Sequence, residues 1–331
     1  MTQTYRILKP GSQNPESARQ QFLRDVEQGL SQTPKSIPSQ YFYDETGSKL
    51  FEQIMDLPEY YLTDAEYEIL ERNHRRLAEL VNHSAFNLVE LGAGDGRKTR
   101  VLLEHLHSEK IDFKYIPIDI SEGAMTSLQE EVAACCSDLE MLGVVGEYFQ
   151  GLNWVEKHVG GPSLVLFLGS NIGNFRPSKA KIFLRRLRQV LRPGDFVLMG
   201  FDLKKDTRRL NAAYNDKQGI TARFNLNLLA RINRELAGEF DLDNWEFYGW
   251  YNPLSGAVES SLLSRKRQCV RIGACGKVFE FDAWEAIHTE YSFKYSEAEI
   301  EKMATTAGFT VAEHYHAKNQ TFVDSLWSIP L

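Results

Sequence analysis

A glycine-rich turn between a strand pattern and a helix pattern is the segment best suited to bind a ligand through its main chain. The turn reads Glu90-Leu91-Gly92-Ala93-Gly94-Asp95-Gly96. Glycines let the backbone turn tightly and let a ligand approach the main chain closely. A dinucleotide-binding motif would place a further glycine at position 97, where this chain has Arg97. The turn therefore predicts a small-molecule site and disfavours a nicotinamide dinucleotide.

The spacing E-x-G-x-G-x-G is typical of S-adenosylmethionine (SAM) methyltransferases, in which this loop holds the methionine moiety. Such a site also needs an acidic residue at the end of the next strand. Asp119 stands there, in Pro117-Ile118-Asp119-Ile120. A carboxylate only accepts hydrogen bonds, so it pairs well with the two hydroxyls of a ribose. An ordinary strand–turn–helix loop would lack this acidic partner, and SAM binding is therefore the favoured interpretation.

The elements around this loop alternate between strand and helix. The helix over 177–191 ends at Pro193-Gly194, and its arginines are interpreted as a solvated face. Alternation of this kind predicts an α/β fold with a parallel sheet covered by helices on both faces. The predicted strands are 86–91, 115–120, 164–168 and 196–201, and the predicted helices include 97–107 and 177–191.

The segments outside this alternation predict a second lobe. The alternation stops near residue 204, after which 205–262 reads as helical and then irregular, and 265–292 reads as β. A helix over 297–307 then leads to a terminal hairpin of 309–317 and 321–330. Near the N-terminus we expect an amphipathic helix over 18–30. Thr63-Asp64-Ala65-Glu66 fits a capping box, which predicts a helix from 64 to 81.

Composition limits the classes of function. The chain has 331 residues, 43% apolar and 25% charged, with 38 basic against 45 acidic residues for a net charge of −7. A nucleic-acid binder would need a basic face, and a membrane span would need about 20 apolar residues in a row. The N-terminus has no apolar segment of a secretory signal, and four cysteines do not make a disulfide framework. We expect a cytoplasmic monomer with reduced thiols that acts without nucleic acid or membrane.

Six motifs in order over most of the chain carry a more specific signal. They are Tyr43-Asp44-Glu45-Thr46-Gly47-Ser48-Lys49-Leu50-Phe51, Leu57-Pro58-Glu59-Tyr60-Tyr61, the glycine loop, Phe167-Leu168-Gly169-Ser170-Asn171-Ile172-Gly173-Asn174-Phe175, Ala213-Tyr214-Asn215-Asp216 with Phe224-Asn225, and Thr289-Glu290-Tyr291-Ser292. Through them the chain resembles the SAM-dependent L-histidine Nα-methyltransferases of ergothioneine biosynthesis.

The resemblance implies an architecture and a reaction. It implies a Rossmann-like class I SAM-dependent methyltransferase sheet with a second, substrate-binding lobe. The SAM domain would comprise 62–204 plus 295–331, and the lobe 1–61 plus 205–294. The reaction would transfer up to three methyl groups from SAM to the α-amine of free L-histidine, giving N,N,N-trimethylhistidine (hercynine).

The resemblance also implies roles for individual residues. SAM would contact Gly92, Lys98, Asp119, Glu147, Tyr148 and Gly169. The substrate carboxylate would be held by Asn174 and Tyr214, the imidazole by Tyr60, Glu290 and Ser292, and Tyr43 would lie near the reacting amine. Tyr43, Asn174 and Tyr214 are thus the expected catalytic residues. These types suit the chemistry, because methyl transfer depends mainly on orientation, which supplies about 7–11 kcal/mol.

Alternatives remain open at this point. The substrate could be another free amino acid such as tryptophan, although Glu290 favours histidine because an indole lacks a second ring nitrogen for a carboxylate. A nicotinamide oxidoreductase and a non-catalytic SAM-binding or amino-acid-binding module are further alternatives. No metal is expected, since His105 and His107 do not share a helix face and no third ligand stands near His314 and His316.

Overall fold

The computed structural model describes residues 5–8, 15–81 and 85–330. The helices of these residues are α1 (Pro15–Leu30), α2 (Glu45–Met55), α3 (Leu62–Val81), α4 (Arg100–Ser108), α5 (Glu122–Cys135), α6 (Tyr148–His158), α7 (Pro177–Val190), α8 (Thr207–Ala213), α9 (Ile220–Leu236) and α10 (Glu297–Ala307). Their strands are β1 (Tyr5–Leu8), β2 (Lys35–Ser36), β3 (Phe86–Leu91), β4 (Phe113–Asp119), β5 (Met141–Val145), β6 (Ser163–Phe167), β7 (Phe196–Asp202), β8 (Trp245–Asn252), β9 (Ala257–Ser264), β10 (Gln268–Ile272), β11 (Lys277–Phe281), β12 (Ala286–Phe293), β13 (Thr310–His316) and β14 (Phe322–Ser328).

The chain divides into two compact units. Unit 1 contains the described residues of 1–11, 62–204 and 293–331, and unit 2 those of 12–61 and 205–292. Unit 1 is built on a sheet of order β1-β5-β4-β3-β6-β7-β14-β13. The strands from β1 to β7 run parallel, whereas β14 is antiparallel to both β7 and β13.

The central strands of unit 1 are apolar on both faces, which fits a parallel sheet covered on both sides. All six residues of β3 are buried, as are Leu164–Phe167 of β6. The order of the parallel strands along the sheet changes direction between β3 and β6. Ligands of such sheets bind in the crevice at this switch point, which here lies at the carboxyl ends of β3 and β6. The predicted α/β fold class is confirmed, and the terminal hairpin is observed as β13 and β14.

Unit 2 has its own apolar core. Its sheet has the order β2-β12-β9-β8, and β10 and β11 form a separate antiparallel pair. Side chains from α1, α9 and these strands pack together, among them Phe22, Phe224 and Phe281. The region 245–264 that reads as irregular in the sequence is in fact the antiparallel pair β8 and β9. Strand β8 was missed because aromatic residues alternate with charged and glycine residues on a half-exposed surface.

The boundaries of the two units differ from the predicted division in two places. Tyr5–Leu8 form β1, which pairs in parallel with β5 in the large sheet instead of joining the second lobe. A four-residue strand has too short a pattern to be assigned from sequence. Phe293 and Lys294 belong to unit 1, where Lys294 Nζ lies 2.7 Å from Asp202 Oδ2 with both side chains buried.

The capping box predicted at Thr63–Glu66 is wrong. Helix α3 begins at Leu62, so Thr63 lies inside the first turn. The Glu66 carboxylate is fully buried and accepts hydrogen bonds from Lys98 Nζ and from the Gly169 N–H. Its partners lie far away in the sequence, so a local motif could not show them. None of the helices in 15–81 and 85–330 is both long and apolar enough to cross a membrane.

Candidate active site

The glycine loop connects β3 to the turn before α4 at the crevice of unit 1. Gly92, Gly94 and Gly96 have φ values of +75°, +55° and +67°, a region that favours glycine. A Cβ at Gly96 would lie 2.1 Å from Leu128 Cδ1, so packing also requires glycine there. A Cβ at Gly94 would meet nothing within 4 Å, so this main chain borders open space.

Asp119 ends β4 beside this loop. Its Oδ2 accepts from the Gly94 N–H at 3.0 Å and its Oδ1 from the Ser121 N–H at 2.8 Å. Burial raises the pKa of Asp119, while these backbone N–H groups lower it. The two bonds orient the carboxylate, and each of its oxygens retains a further lone pair. Ile120, the next residue, is an exposed large apolar side chain at 52% exposure.

Four of the predicted SAM contacts converge around Asn171. A Cβ at Gly92 would lie 3.1 Å from the Tyr148 hydroxyl and 3.3 Å from Asn171 Nδ2. A Cβ at Gly169 would lie 3.3 Å from Lys98 Nζ and 3.6 Å from the same Asn171 nitrogen. Polar groups of three different loops therefore lie next to two glycine main chains. Asn171 was not among the predicted contacts, because a turn residue beside glycine carries no signal of its own.

Lys98 is held from one side by a buried carboxylate. Its side chain is 19% exposed and pairs with the fully buried Glu66. Burial lowers the pKa of Lys98, but the negative charge and hydrogen bond of Glu66 more than offset this, so the pKa is raised. Glu66 also accepts from the Gly169 N–H at 2.8 Å. One carboxylate therefore fixes two of the predicted SAM contacts, and sequence analysis missed it.

The segment after β6 has a strained backbone. Gly169 and Ser170 have φ values of +74° and +53°, and a left-handed serine is uncommon. The Ser170 hydroxyl accepts from the Asp202 N–H at 3.0 Å, which secures this conformation. A short 3-10 turn, Asn171–Asn174, follows. A Cβ at Gly173 would lie 2.8 Å from the Phe293 carbonyl oxygen, so the turn packs tightly and presents Asn174 at its end.

The remaining predicted SAM contact lies at the end of β5. Glu147 is exposed and precedes the first residue of α6, which is Tyr148. Burial raises the pKa of Tyr148, and its ring contacts Phe167 at 5.4 Å. The predicted SAM contacts of unit 1 therefore all lie at the carboxyl ends of β3, β4, β5 and β6 or within a few residues after them.

Unit 2 brings its predicted residues into a chain of aromatic rings. The Tyr43 ring lies 5.5 Å from that of Phe51, which lies 6.3 Å from that of Tyr60. The Tyr60 ring in turn lies 6.2 Å from that of Tyr214. All three pairs meet edge to face, an arrangement that aromatic rings favour. Phe224 contacts both Tyr43 and Phe51 from α9.

Tyr214 connects this aromatic chain to strand β12. Its hydroxyl lies 2.7 Å from Ser292 Oγ, and both residues are buried. Glu290 is two residues earlier on the same strand, so it lies on the same face as Ser292. The structure thus brings together Tyr43, Tyr60, Tyr214, Glu290 and Ser292 within one unit.

Two polar networks fix these side chains. Thr289 Oγ1 donates to Asn225 Oδ1 at 3.1 Å or to the Ser260 carbonyl at 3.0 Å, which ties β12 to α9 and β9. Asp44, next to Tyr43, accepts from the Gly47 N–H at 2.7 Å and from Asn227 Nδ2 at 2.7 Å. All of these hydrogen bonds are partly or fully buried, so they hold in place the backbone segments that contain Tyr43 and Glu290.

The residues of unit 1 fit SAM. The glycine loop offers open main chain at Gly94, Asp119 offers acceptor oxygens for a ribose, and Ile120 offers an exposed apolar side chain beside it. Among the described residues, no group of three or more His, Cys, Asp or Glu side chains is placed to hold a metal ion.

Comparison with known proteins decides the family. The family model of SAM-dependent, histidine-specific methyltransferases matches residues 22–329. The chain belongs to the histidine-specific, SAM-dependent methyltransferase family. It is a SAM-dependent methyltransferase, which sets aside the nicotinamide oxidoreductase alternative.

The relatives of this methyltransferase are named for different substrates. The chain is 41% identical to a histidine N-alpha-methyltransferase of Mycobacterium tuberculosis over 86% of this chain and 88% of that one. It is 32% identical to ergothioneine biosynthesis protein 1 of Neurospora crassa over 87% of this chain and 32% of that one. It is 31% identical to an L-tryptophan methyltransferase of Psilocybe serbica over 85% of each chain.

Proposed function

We propose that this methyltransferase transfers methyl groups from SAM to the α-amine of free L-histidine, up to N,N,N-trimethylhistidine, in ergothioneine biosynthesis. Histidine is proposed as the substrate because the chain is 41% identical to a histidine N-alpha-methyltransferase over nearly the whole of both chains. The chemistry of the side chains in the two units supports it.

Unit 1 supplies the donor site in this proposal. Gly92, Gly94 and Gly169 present main chain to the methionine part, and Asp119 accepts from the ribose hydroxyls. Glu66 accepts from both Lys98 Nζ and the Gly169 N–H and so positions the two groups, and Lys98 offers its remaining N–H groups to a carboxylate. Glu147 and Tyr148 flank the adenine. When bound, SAM supplies an electrophilic methyl on a sulfonium.

Unit 2 supplies amino-acid recognition. Glu290 accepts from an imidazole N–H, and Ser292 and Tyr60 complete the side-chain contacts. Tyr214, oriented by its bond to Ser292, donates to the substrate carboxylate. Asn174 belongs to unit 1 and stays a predicted donor to the same carboxylate. Holding both ends of a small substrate fixes the direction of its amine, and this orientation is the main source of rate in a displacement with little covalent help.

The aromatic chain of unit 2 suits a substrate whose amine becomes a permanent cation. Tyr43 and Phe51 supply neighbouring aromatic rings, and ring faces attract a quaternary ammonium. Each added methyl group makes the amine larger and less hydrated, which strengthens contacts with aromatic rings. The proposal therefore accommodates all three methyl transfers at one site.

A second candidate substrate is tryptophan. The 31% identity to an L-tryptophan methyltransferase over 85% of each chain favours it. An indole offers one N–H and no second ring nitrogen, so it uses a Glu290–Ser292 pair less completely than an imidazole does. Histidine is therefore the first choice and tryptophan the second.

The direct test is a time course of the purified protein with SAM and free histidine, followed by mass spectrometry. The proposal expects mono-, di- and trimethylhistidine in succession, with S-adenosylhomocysteine formed in equal amount to the methyl groups transferred. Absence of every methylated histidine, with S-adenosylhomocysteine still bound, would indicate a SAM-binding module without this activity.

We also propose that the protein works in the cytoplasm as a monomer, without nucleic acid or membrane. A net charge of −7 disfavours binding to polyanions. Light scattering of the purified protein would give a mass near 37.9 kDa for a monomer and twice that for a dimer.

A further inference from the structure

Two fully buried carboxyl groups of unit 1 lie against the same point of strand β7. Glu66 on α3 and Asp324 on β14 are both 0% exposed. A Cβ added to Gly200 would lie 2.1 Å from Glu66 Oε1 and 3.2 Å from Asp324 Oδ1. Gly200 is also the cross-strand partner of Asp324. The absence of a side chain at position 200 therefore makes the space in which the two carboxyl groups meet.

The two acids have different partners. Both oxygens of Glu66 lie 2.8 Å from the Gly169 nitrogen, and Oε2 also accepts from Lys98 Nζ. Across residues 15–81 and 85–330, no N–H or O–H donor bonds to either oxygen of Asp324. Glu66 Oε1 and Asp324 Oδ1 both face the space beside Gly200. Two ionised carboxylates there would only accept hydrogen bonds and would repel each other, whereas a proton on one of them supplies a donor and removes the repulsion.

The proton belongs on Asp324. Glu66 faces a lysine and a backbone N–H, both of which stabilise its negative form. Asp324 faces Glu66 from α3, Lys98 from the loop before α4, and Tyr315 across the sheet, whose hydroxyl donates to Glu313. Burial raises the pKa of Asp324 well above its usual range, the negative Glu66 raises it further, and Lys98 only partly opposes this.

We propose that Asp324 is a positioning residue for donor binding, which carries a proton and donates it in a hydrogen bond to the Glu66 carboxylate. This bond fixes the carboxylate in the orientation that holds Lys98 Nζ and the Gly169 N–H. The inference rests on the proposed function, in which Lys98 and Gly169 contact SAM. Asp324 acts through Glu66, and its proton stays on Asp324 throughout.

A neutral acid suits this position for an electrostatic reason. Glu66 and Lys98 already balance each other, and a second negative charge in the same buried space would be unpaired and costly. A protonated carboxyl supplies direction without charge. An asparagine amide can also donate to Glu66 without charge, whereas a leucine of similar size cannot donate at all.

The first measurement locates the proton. Infrared spectra of wild-type protein at neutral pH should show the carbonyl band of a protonated carboxylic acid. The band should shift when aspartate is labelled with ¹³C at its side-chain carboxyl, and it should be missing in Asp324→Asn. Glu90 can contribute a band of its own near neutral pH, so only a band that shifts with the aspartate label counts. A label-sensitive band that Asp324→Asn leaves in place, or no label-sensitive band in the wild type, overturns the proposal.

The second measurement tests the positioning role. Asp324→Leu should weaken S-adenosylhomocysteine binding by about tenfold, since the Glu66 carboxylate loses its buried donor. It should raise KM for SAM more than it lowers kcat. The conservative Asp324→Asn should restore the affinity to within about twofold of wild type. An equal loss of S-adenosylhomocysteine affinity in Asp324→Leu and Asp324→Asn overturns the positioning role.

A matched control uses the other fully buried aspartate of this sheet. Asp202 Oδ2 lies 2.7 Å from the buried Lys294 Nζ. Asp202→Asn removes the carboxyl group that faces this buried lysine and should lower Tm more than Asp324→Asn does. A larger decrease of Tm in Asp324→Asn than in Asp202→Asn would contradict a protonated Asp324. If Asp324→Leu fails to fold, the infrared bands and the Asp324→Asn affinity still decide.

The failures of this inference and of the proposed function are distinguishable. Failure of wild-type protein to bind S-adenosylhomocysteine would overturn the proposed function and the positioning role together, while the infrared result would still report the proton. Normal binding by wild type with an ionised Asp324 would overturn the inference alone.

Discussion

At the scale of the residue, unit 1 buries carboxyl groups in its sheet and beneath its glycine loop. Glu90, the first residue of the glycine loop motif, is buried beneath that loop. It accepts from the hydroxyls of Thr99 and Tyr115. Burial raises the pKa of Glu90 to about 7, although both hydrogen bonds lower it. The loop is therefore tied to α4 and β4 through a group that titrates near neutral pH.

This titration predicts a pH-dependent stability. The pKa of Glu90 in the folded protein is about 7, against 4.5 for an unperturbed glutamate, so the folded state binds more protons between these two pH values. Its contribution to the free energy of unfolding therefore falls as pH rises from 4.5 to 7 and is constant above that. Relative to Glu90→Gln, wild type should lose about 3 kcal/mol over this range. If the free energies of unfolding of wild type and Glu90→Gln change with pH in the same way, the raised pKa of Glu90 is contradicted.

Glu290 gives a prediction on specificity. Glu290→Ala removes the proposed acceptor for an imidazole N–H, so kcat/KM for histidine should fall by about tenfold or more. The ratio of tryptophan to histidine turnover should rise, because an indole loses less binding than an imidazole does when the Glu290 carboxylate is removed. Glu280→Ala, an exposed change on β11, is the control. An unchanged ratio in Glu290→Ala would remove the imidazole-reading role.

At the scale of the element, the sequence predicts the strands that are mostly apolar. It does not show contacts between residues that are far apart in the chain. Strands β3, β6 and β7 follow from predominantly apolar runs, and the glycine loop with Asp119 follows from spacing alone. The role of Glu66 could not be found in this way. Thr63-x-x-Glu66 satisfies a local capping pattern, but the carboxylate bonds to Gly169, which is 103 residues away. Strand β8 was missed because half of its pattern faces solvent.

The glycine loop gives the prediction at this scale. Gly94→Ala places a Cβ in open space at φ +55°, so it should cost about 1–2 kcal/mol of stability and keep the fold. The methyl would occupy the space of the bound donor and should weaken S-adenosylhomocysteine binding by about tenfold. Gly276→Ala, at φ +68° with equally open space in the β10–β11 turn, should lose similar stability and keep full affinity. Equal affinities of the two variants would contradict this donor site.

At the scale of the whole molecule, the two units carry different chemistry. Unit 1 holds the glycine loop, Asp119 and Lys98, and unit 2 holds the aromatic chain, Tyr214 and Glu290. The segments of unit 2 interrupt those of unit 1 along the chain. In the proposed function, unit 1 binds the donor and unit 2 supplies most of the contacts to the amino acid.

The central claim is tested most directly by presenting all twenty free amino acids together with SAM and following each by mass spectrometry. The account predicts that histidine gains methyl groups first and gains up to three, with tryptophan second. Methylation of an amino acid other than these two, with histidine unchanged, would contradict it.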